Sequence, residues 1–266
     1  MIDKGKHNVL GVLVNAVDYE TAVAGIVTAA NARQGFAVSA LAVHGVMTGY
    51  LDSQQKHRLN CFDLILPDGQ PVRWALKWLH GIDLRDRVYG PRLMLQCCAE
   101  AARRSLPVFL YGSTDEVIAN LSSNLQRQFP TLRIAGKQSS KFRRLSVAEK
   151  QQVVHKIHES GARIVFVGLG CPRQEVWAYE FRSELSLPIV AVGGAFSVHA
   201  GAALQAPGWM QRRGLEWLFR LASEPARLWR RYLFLSPLFL VCVWSQMFGA
   251  RFNTSGREPP QEVLYG

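Results

Sequence analysis

Short apolar runs rich in β-branched residues alternate along this chain with longer stretches whose apolar positions recur every three or four residues. The runs at 9–14, 36–40, 62–66, 107–111, 132–135, 163–167 and 188–192 read as strands. The amphipathic stretches at 19–32, 44–57, 70–80, 90–105, 115–129, 147–160 and 173–185 read as helices. This alternation predicts an α/β fold, a mostly parallel sheet with helices on both faces. In such sheets ligands bind outside the carboxyl ends of the strands, so the residues that follow each strand are the first candidates for chemistry.

The pattern changes after residue 205. Arg212, Arg213, Arg220, Arg227, Arg230 and Arg231 lead into residues 232–250, which carry no charge. Basic side chains beside an apolar, Trp-containing stretch suit a surface of anionic headgroups and acyl chains. The uncharged stretch approaches the ~20 residues of a membrane span, but Ser236-Pro237, Ser245 and Gln246 interrupt it. It reads as a helix lying in the membrane interface, with burial or an oligomer contact as the alternatives. The expected organisation is an α/β body over 1–205, basic and apolar membrane-associating helices over 206–252, and a disordered polar tail over 253–266.

Composition sharpens this in two ways. With 266 residues and 48% apolar content, the chain can bury a substantial core. Its net charge of +11 is concentrated near one end: residues 207–251 hold seven arginines against Glu216 and Glu224. No nucleic-acid motif accompanies that charge, so nucleic acid is not an expected partner. Five cysteines, odd in number and without C-x-x-C spacing, indicate a reduced compartment and no zinc site. Residues 9–17 are interrupted by Asn15 and lack a cleavage pattern, which predicts a cytoplasmic catalytic body.

Three strand ends and one loop between helices carry candidate chemistry. Asp68, in Pro67-Asp68-Gly69-Gln70-Pro71, suits either a helix N-cap or a general base. Arg87 stands before Gly90, which opens a helix where a phosphate could meet a cation and backbone donors together. The turn from Val167 through Gly168, Gly170, Cys171-Pro172, Arg173, Gln174 and Glu175 is ordinary helix capping or a diphosphate cradle. It matches neither the dinucleotide fingerprint nor the Walker loop. Gly193-Gly194 and His199 line a second glycine-rich edge, where His199 is a structural residue or a catalyst. No His, Asp or Glu spacing offers a metal site, so neither metal nor cofactor is expected, and arginines and backbone amides would have to stabilise a leaving diphosphate.

Taken together, Pro67-Asp68-Gly69, Arg87-Val88-x-Gly90, Gly170-x-Pro172-Arg173-Gln174-Glu175 and Ala206-Pro207-x-Trp209 stand in a telling order. Gly214-Leu215-Glu216-Trp217-Leu218-x-Arg220-Leu221, Glu224-Pro225-x-Arg227 and Arg230-Arg231-Tyr232 continue it. Over roughly 9–232 the chain resembles the WecG/TagA/CpsF glycosyltransferases, glycosyltransferase family 26. The resemblance implies a Rossmann-like, metal-independent, inverting transferase. Such an enzyme moves a sugar from a nucleotide-sugar, usually UDP-linked, to a polyprenyl-diphosphate-linked saccharide at the cytoplasmic face of the bacterial inner membrane, held there peripherally.

By the same resemblance Asp68 is the base. Ser39, Arg87, Gly168, Gly170, Arg173, Gln174, Glu175, Gly193 and Gly194 bind the donor, while Arg220, Arg227, Arg230 and Arg231 hold the leaving or acceptor diphosphate. His44 and His199 are further candidates, and a homo-oligomer is compatible with the pattern. The chain departs from the family where a T-x-N pair is common, reading Ser39-Ala40-Leu41, with His44 three residues on. It also reads Ala195-Phe196-Ser197 for G-x-F-D, and has Gln205 before Ala206 and Arg92 where an acid is common. These departures resemble the exopolysaccharide branch, with UDP-glucose as the expected donor. The alternatives are an N-acetylmannosaminyl- or N-acetylmannosaminuronyl-transferase, and a non-catalytic UDP-sugar-binding subunit of a polysaccharide assembly.

Overall fold

The computed structural model describes residues 1–255 and 259–266, with the side chains of all of these except Arg212. Two antiparallel strands come first, β1 (Asp3–Val9) and β2 (Val12–Val17). The apolar run at 9–14 is thus a hairpin and not one strand. Its turn holds Leu10 and Gly11, both with positive φ (55° and 89°), the backbone that a tight two-residue hairpin requires. Leu10 is buried, so the turn reads as apolar and hides in the pattern.

Six strands form the main sheet: β3 (Phe36–Leu41), β4 (Leu64–Pro67), β5 (Val108–Gly112), β6 (Ile134–Gln138), β7 (Ile164–Gly168) and β8 (Pro188–Ala191). Their order is β4-β3-β8-β7-β5-β6, and every pairing is parallel. The α/β architecture expected from the alternation is therefore present. Successive residues of one strand feed opposite cores, as a sheet covered on both faces demands. Phe109, Val165 and Ile189 face the helices Val43–Leu51, Val147–Glu159 and Arg173–Leu185. Leu110, Phe166 and Val190 face Tyr19–Ala32, Gly90–Arg103 and Asp115–Gln128.

The helix expected over 44–57 is broken at Asp52 into Val43–Leu51 and Ser53–Asn60. The Asp52 carboxylate accepts from the amides of Gln54 and Gln55, which caps the second helix and ends the first. The C-terminal region is a chain of short helices, Gly208–Arg212, Glu216–Ser223 and Pro225–Arg230, then a π-type turn at Arg231–Leu235 and the helix Ser236–Met247. Phe239, Cys242 and Val243 bury one face of that last helix in the body, while Val241, Trp244 and Phe248 stand exposed. Among the described residues no helix is long and apolar enough to cross a membrane.

The tail expected to be disordered over 253–266 is ordered where it is described. The Glu180 carboxylate accepts from the amides of Val263 and Leu264 at 2.7 and 2.9 Å, and Tyr265 pairs with Arg144 in an antiparallel bridge. These are backbone contacts that composition does not foretell. Residues 256–258 of that expectation lie outside the described residues.

Candidate active site

Strands β3 and β4 run to one edge of the sheet and β8 and β7 follow on the other side, so the loops leaving β3 and β8 diverge. A cleft of about 620 Å³ opens there, at the strands' carboxyl ends. Its floor is the loops after β3, β4, β7 and β8, and the C-terminal helices Glu216–Ser223 and Pro225–Arg230 close it from above.

Asp68 follows β4 directly and enters the floor. Its amide donates to Leu41 O at 3.2 Å, which fixes it against the end of β3. It does not cap the next helix: Gly69, at φ 91°, is the N-cap of Gln70–His80 and no side chain bonds there. Its carboxyl is therefore free for other work. Its neighbours are the Gly90 amide at 3.5 Å from Oδ2 and the Arg87 guanidinium, with Nη1 4.0 Å from Oδ1. Burial pushes this carboxyl up to about 6, against the pull of Arg87 and with a push from Glu216. A carboxylate poised near neutrality in a cleft suits a general base.

Arg87 is paired with Glu216 across the cleft. Its Nη2 donates to Glu216 Oε2, and both side chains are nearly buried. The guanidinium also lies 4.6 Å from the Tyr89 ring centre. Arg87 thus stands behind the cleft wall, between two carboxylates. Glu216 lines the cleft and was not among the candidate residues of the sequence reading. Its signal was present: it is the acid inside the Gly214–Arg220 motif, in a region otherwise dense in arginine.

The turn after β7 builds the next wall. Gly170 takes φ 78° and its carbonyl accepts from the Gln174 amide at 3.0 Å, which starts the helix Arg173–Leu185 under the cleft. Gln174 Nε2 donates to Glu175 Oε1 at 2.8 Å, and Ser39 Oγ donates to the same oxygen at 2.8 Å. Glu175 is wholly buried, and burial raises its carboxyl despite Gln174 and Ser39. Gln174 Oε1, Glu175 Oε2 and His44 Nδ1 are buried and have no protein partner, an orphaned polar set at the cleft wall. Burial first, and then Arg231, lower the His44 imidazole to about 4, so it is neutral at physiological pH.

Gly193, at φ 45°, turns the chain after β8. A Cβ there would lie 2.7 Å from Gln174 Oε1, so the bare backbone lets that amide reach the cleft. Arg220, Arg227 and Arg231 line the roof. Arg227 pairs with Glu224 at 2.5 Å, whereas Arg220 and Arg231 have no ion-pair partner among the described residues. Burial and the neighbouring Arg227 and Arg220 hold Arg231 below the usual guanidinium value. Cations crowded together over a cleft are arranged for a polyanion.

The sequence candidates therefore divide. Asp68, His44, Gly170, Gln174, Glu175, Gly193, Gly194, Arg220, Arg227 and Arg231 line the cleft. Ser39 and Arg87 stand one layer behind it, each bonded to a carboxylate. Gly168 does not reach it: a Cβ there would strike the Phe196 ring at 2.5 Å, so this glycine serves strand–helix packing. Arg173 is exposed and lies 5.7 Å from the Tyr265 ring centre. Arg230 is exposed beside Trp229 and does not line the cleft. His199 Nε2 meets Pro91 O at 2.9 Å and its carbonyl accepts from Asn124, which is the structural role. Among the described residues no three His, Cys, Asp or Glu side chains converge on a possible metal position.

Comparison with known proteins gives a family and a relative. A family model described as "Glycosyl transferase WecG/TagA/CpsF family" matches residues 7–253. The chain is 36% identical over 186 residues to the N-acetylglucosaminyldiphosphoundecaprenol N-acetyl-beta-D-mannosaminyltransferase of Bacillus spizizenii, an alignment covering 70% of this chain and 69% of that protein. The UDP-glucose expectation drawn from residues 39–44 finds no support in that relative, whose name gives the N-acetylmannosaminyl alternative.

Proposed function

The chain belongs to the WecG/TagA/CpsF family of glycosyltransferases, and from that premise we propose that it transfers an N-acetylmannosaminyl residue to a polyprenyl-diphosphate-linked N-acetylglucosamine. The donor is the UDP-linked sugar. The observation that carries the reading is the Asp68 carboxyl, raised by burial and capping no helix, on the floor of a cleft roofed by Arg220 and Arg231, which have no ion-pair partner among the described residues. Asp68 takes the proton of the acceptor hydroxyl as that oxygen attacks the anomeric carbon. The bond to the departing UDP breaks on the opposite face, so configuration inverts in one displacement, the logic of inverting sugar transfer. Arg220 and Arg231 stabilise the charge that gathers on the leaving diphosphate, in place before the reaction begins.

Gln174 Oε1, His44 Nδ1 and the backbone at Gly193 give the donor its polar partners, since each lines the cleft without a protein partner or beside one. The exposed Val241, Trp244 and Phe248, next to the roof arginines in sequence, favour peripheral attachment to the lipid surface that holds the acceptor. The cytoplasmic face supplies the nucleotide-sugar.

A donor panel tests this reading. The protein is incubated with UDP-linked N-acetylmannosamine, N-acetylglucosamine or glucose, with and without the lipid-linked acceptor and with EDTA present. The expected result is acceptor-dependent, EDTA-resistant release of UDP from the N-acetylmannosamine donor. Release from UDP-glucose alone would restore the other donor, and no release from folded protein with any donor would favour the non-catalytic binding subunit.

A further inference from the structure

Arg87 has two carboxylates within reach and serves them unequally. It donates directly to Glu216, while its nearest approach to Asp68 is 4.0 Å. Glu216 belongs to the helix Glu216–Ser223, and both Arg87 and Asp68 belong to the body, so one ion pair ties the roof to the floor beside the reacting carboxyl. A guanidinium bonded fully to Asp68 would hold it as a weak base.

We propose that Glu216 is a positioning residue for sugar transfer: by engaging Arg87 from the roof, it keeps that cation off Asp68 and leaves Asp68 able to take the acceptor's proton. This rests on the reading of Asp68 as the base. The charged and titratable groups facing Asp68 are Arg87 and Tyr89 before the helix Gly90–Arg103, Glu216 and Arg220 on the roof, Tyr232 in the π-type turn and Tyr19 on the first helix. Glu216 is the one other carboxylate in that set. It acts twice, by its own negative charge on Asp68 and by the hydrogen bond that occupies Arg87. The roof must be seated for both effects, so the base is fully competent only when the helix that carries Arg220 is also in place.

The test is the pH profile of kcat/KM for wild type, Glu216→Gln and Glu216→Asp. Wild type should lose activity below about pH 6. Glu216→Gln should move that acid limb down by about one pH unit and reduce turnover on the plateau by about three- to tenfold, as the base weakens. Glu216→Asp, which keeps the charge, should restore the limb. An unmoved limb in Glu216→Gln, whatever the loss of rate, means a structural role only and overturns the proposal.

Breaking one side of a buried ion pair can unfold a protein where removing both sides does not. Arg87→Gln and the double variant Arg87→Gln/Glu216→Gln therefore form a second arm. The single change should raise the limb, and adding Glu216→Gln should bring it back down. A readout independent of activity separates failure here from failure of the transferase reading. The stability gained by Asp68→Asn between pH 4 and pH 7, followed by thermal unfolding, should shrink in the Glu216→Gln background. An equal gain in both backgrounds would overturn the proposal even if no transfer were found.

Discussion

The floor and the roof of the cleft are built by different means. The floor takes its residues from strand ends: Asp68 after β4, Gln174 after β7 and Gly193 after β8, each held by sheet hydrogen bonding within a few residues. The roof is short helices joined by a π-type turn, with Trp217, Trp229, Leu233 and Phe234 exposed and with Arg220 and Arg231 lacking an ion-pair partner among the described residues. Sheet-held position belongs to the floor and crowded positive charge to the roof. In the proposed reaction the floor would define the reacting geometry, while the crowded cations of the roof would stabilise the leaving diphosphate.

The largest expected break falls on the floor. Asp68→Asn should lower turnover by about 10²–10⁴-fold with circular dichroism unchanged, as measured by acceptor-dependent sugar transfer. On the roof, Arg220→Ala and Arg231→Ala should each cost about 10²–10³-fold in kcat. Arg230→Ala, at a residue that is exposed beside Trp229 and does not line the cleft, should leave kcat close to wild type. If all three arginines behaved alike, the division between cations that line the cleft and those that do not would be wrong.

Two further changes test how firmly the floor is set. Gly193→Ala forces an L side chain into φ 45° and against Gln174 Oε1, and should cost about 1–3 kcal/mol of stability while raising KM for the donor. Asp68 carries its own penalty. Its folded value, about 6, lies above the 3.8 of an ordinary aspartate, so the folded state binds the proton more readily. Stability from this group is present below pH 3.8 and is lost as pH rises through 6. Asp68→Asn should therefore be more stable than wild type at pH 7.5, by on the order of 1–3 kcal/mol, with the gain vanishing near pH 4. The smallest effect belongs to His199→Ala, about 1 kcal/mol from the lost bond to Pro91 O, with unchanged kcat.

The same contrast explains what the sequence made legible. The strand–helix rhythm gave the sheet and most of its helices, because a doubly covered strand must be apolar along its length. Asp68, Gln174 and Gly193 were legible because they stand in the turns and helix start that follow such strands. The hairpin at Leu10-Gly11 was not, since its turn is buried and apolar. Nor was the sorting of the arginines: Arg230 and Arg231 are adjacent in sequence, yet a helix turns neighbours about 100° apart, and only Arg231 faces the cleft. Glu216 went unread because its partner lies 129 residues away. The packed tail at 259–266 was hidden in the same way, since Glu180 and Arg144 supply contacts that its own composition does not suggest.

The decisive measurement is UDP release from UDP-N-acetylmannosamine by wild type and Asp68→Asn, each with and without polyprenyl-diphosphate N-acetylglucosamine in anionic vesicles at pH 7.5. A strand-end base working under an arginine roof predicts rapid acceptor-dependent release by wild type, reduced at least about 10²-fold in the variant. Equal release by the two proteins would contradict it, and would move the chemistry away from the carboxyl end of β4.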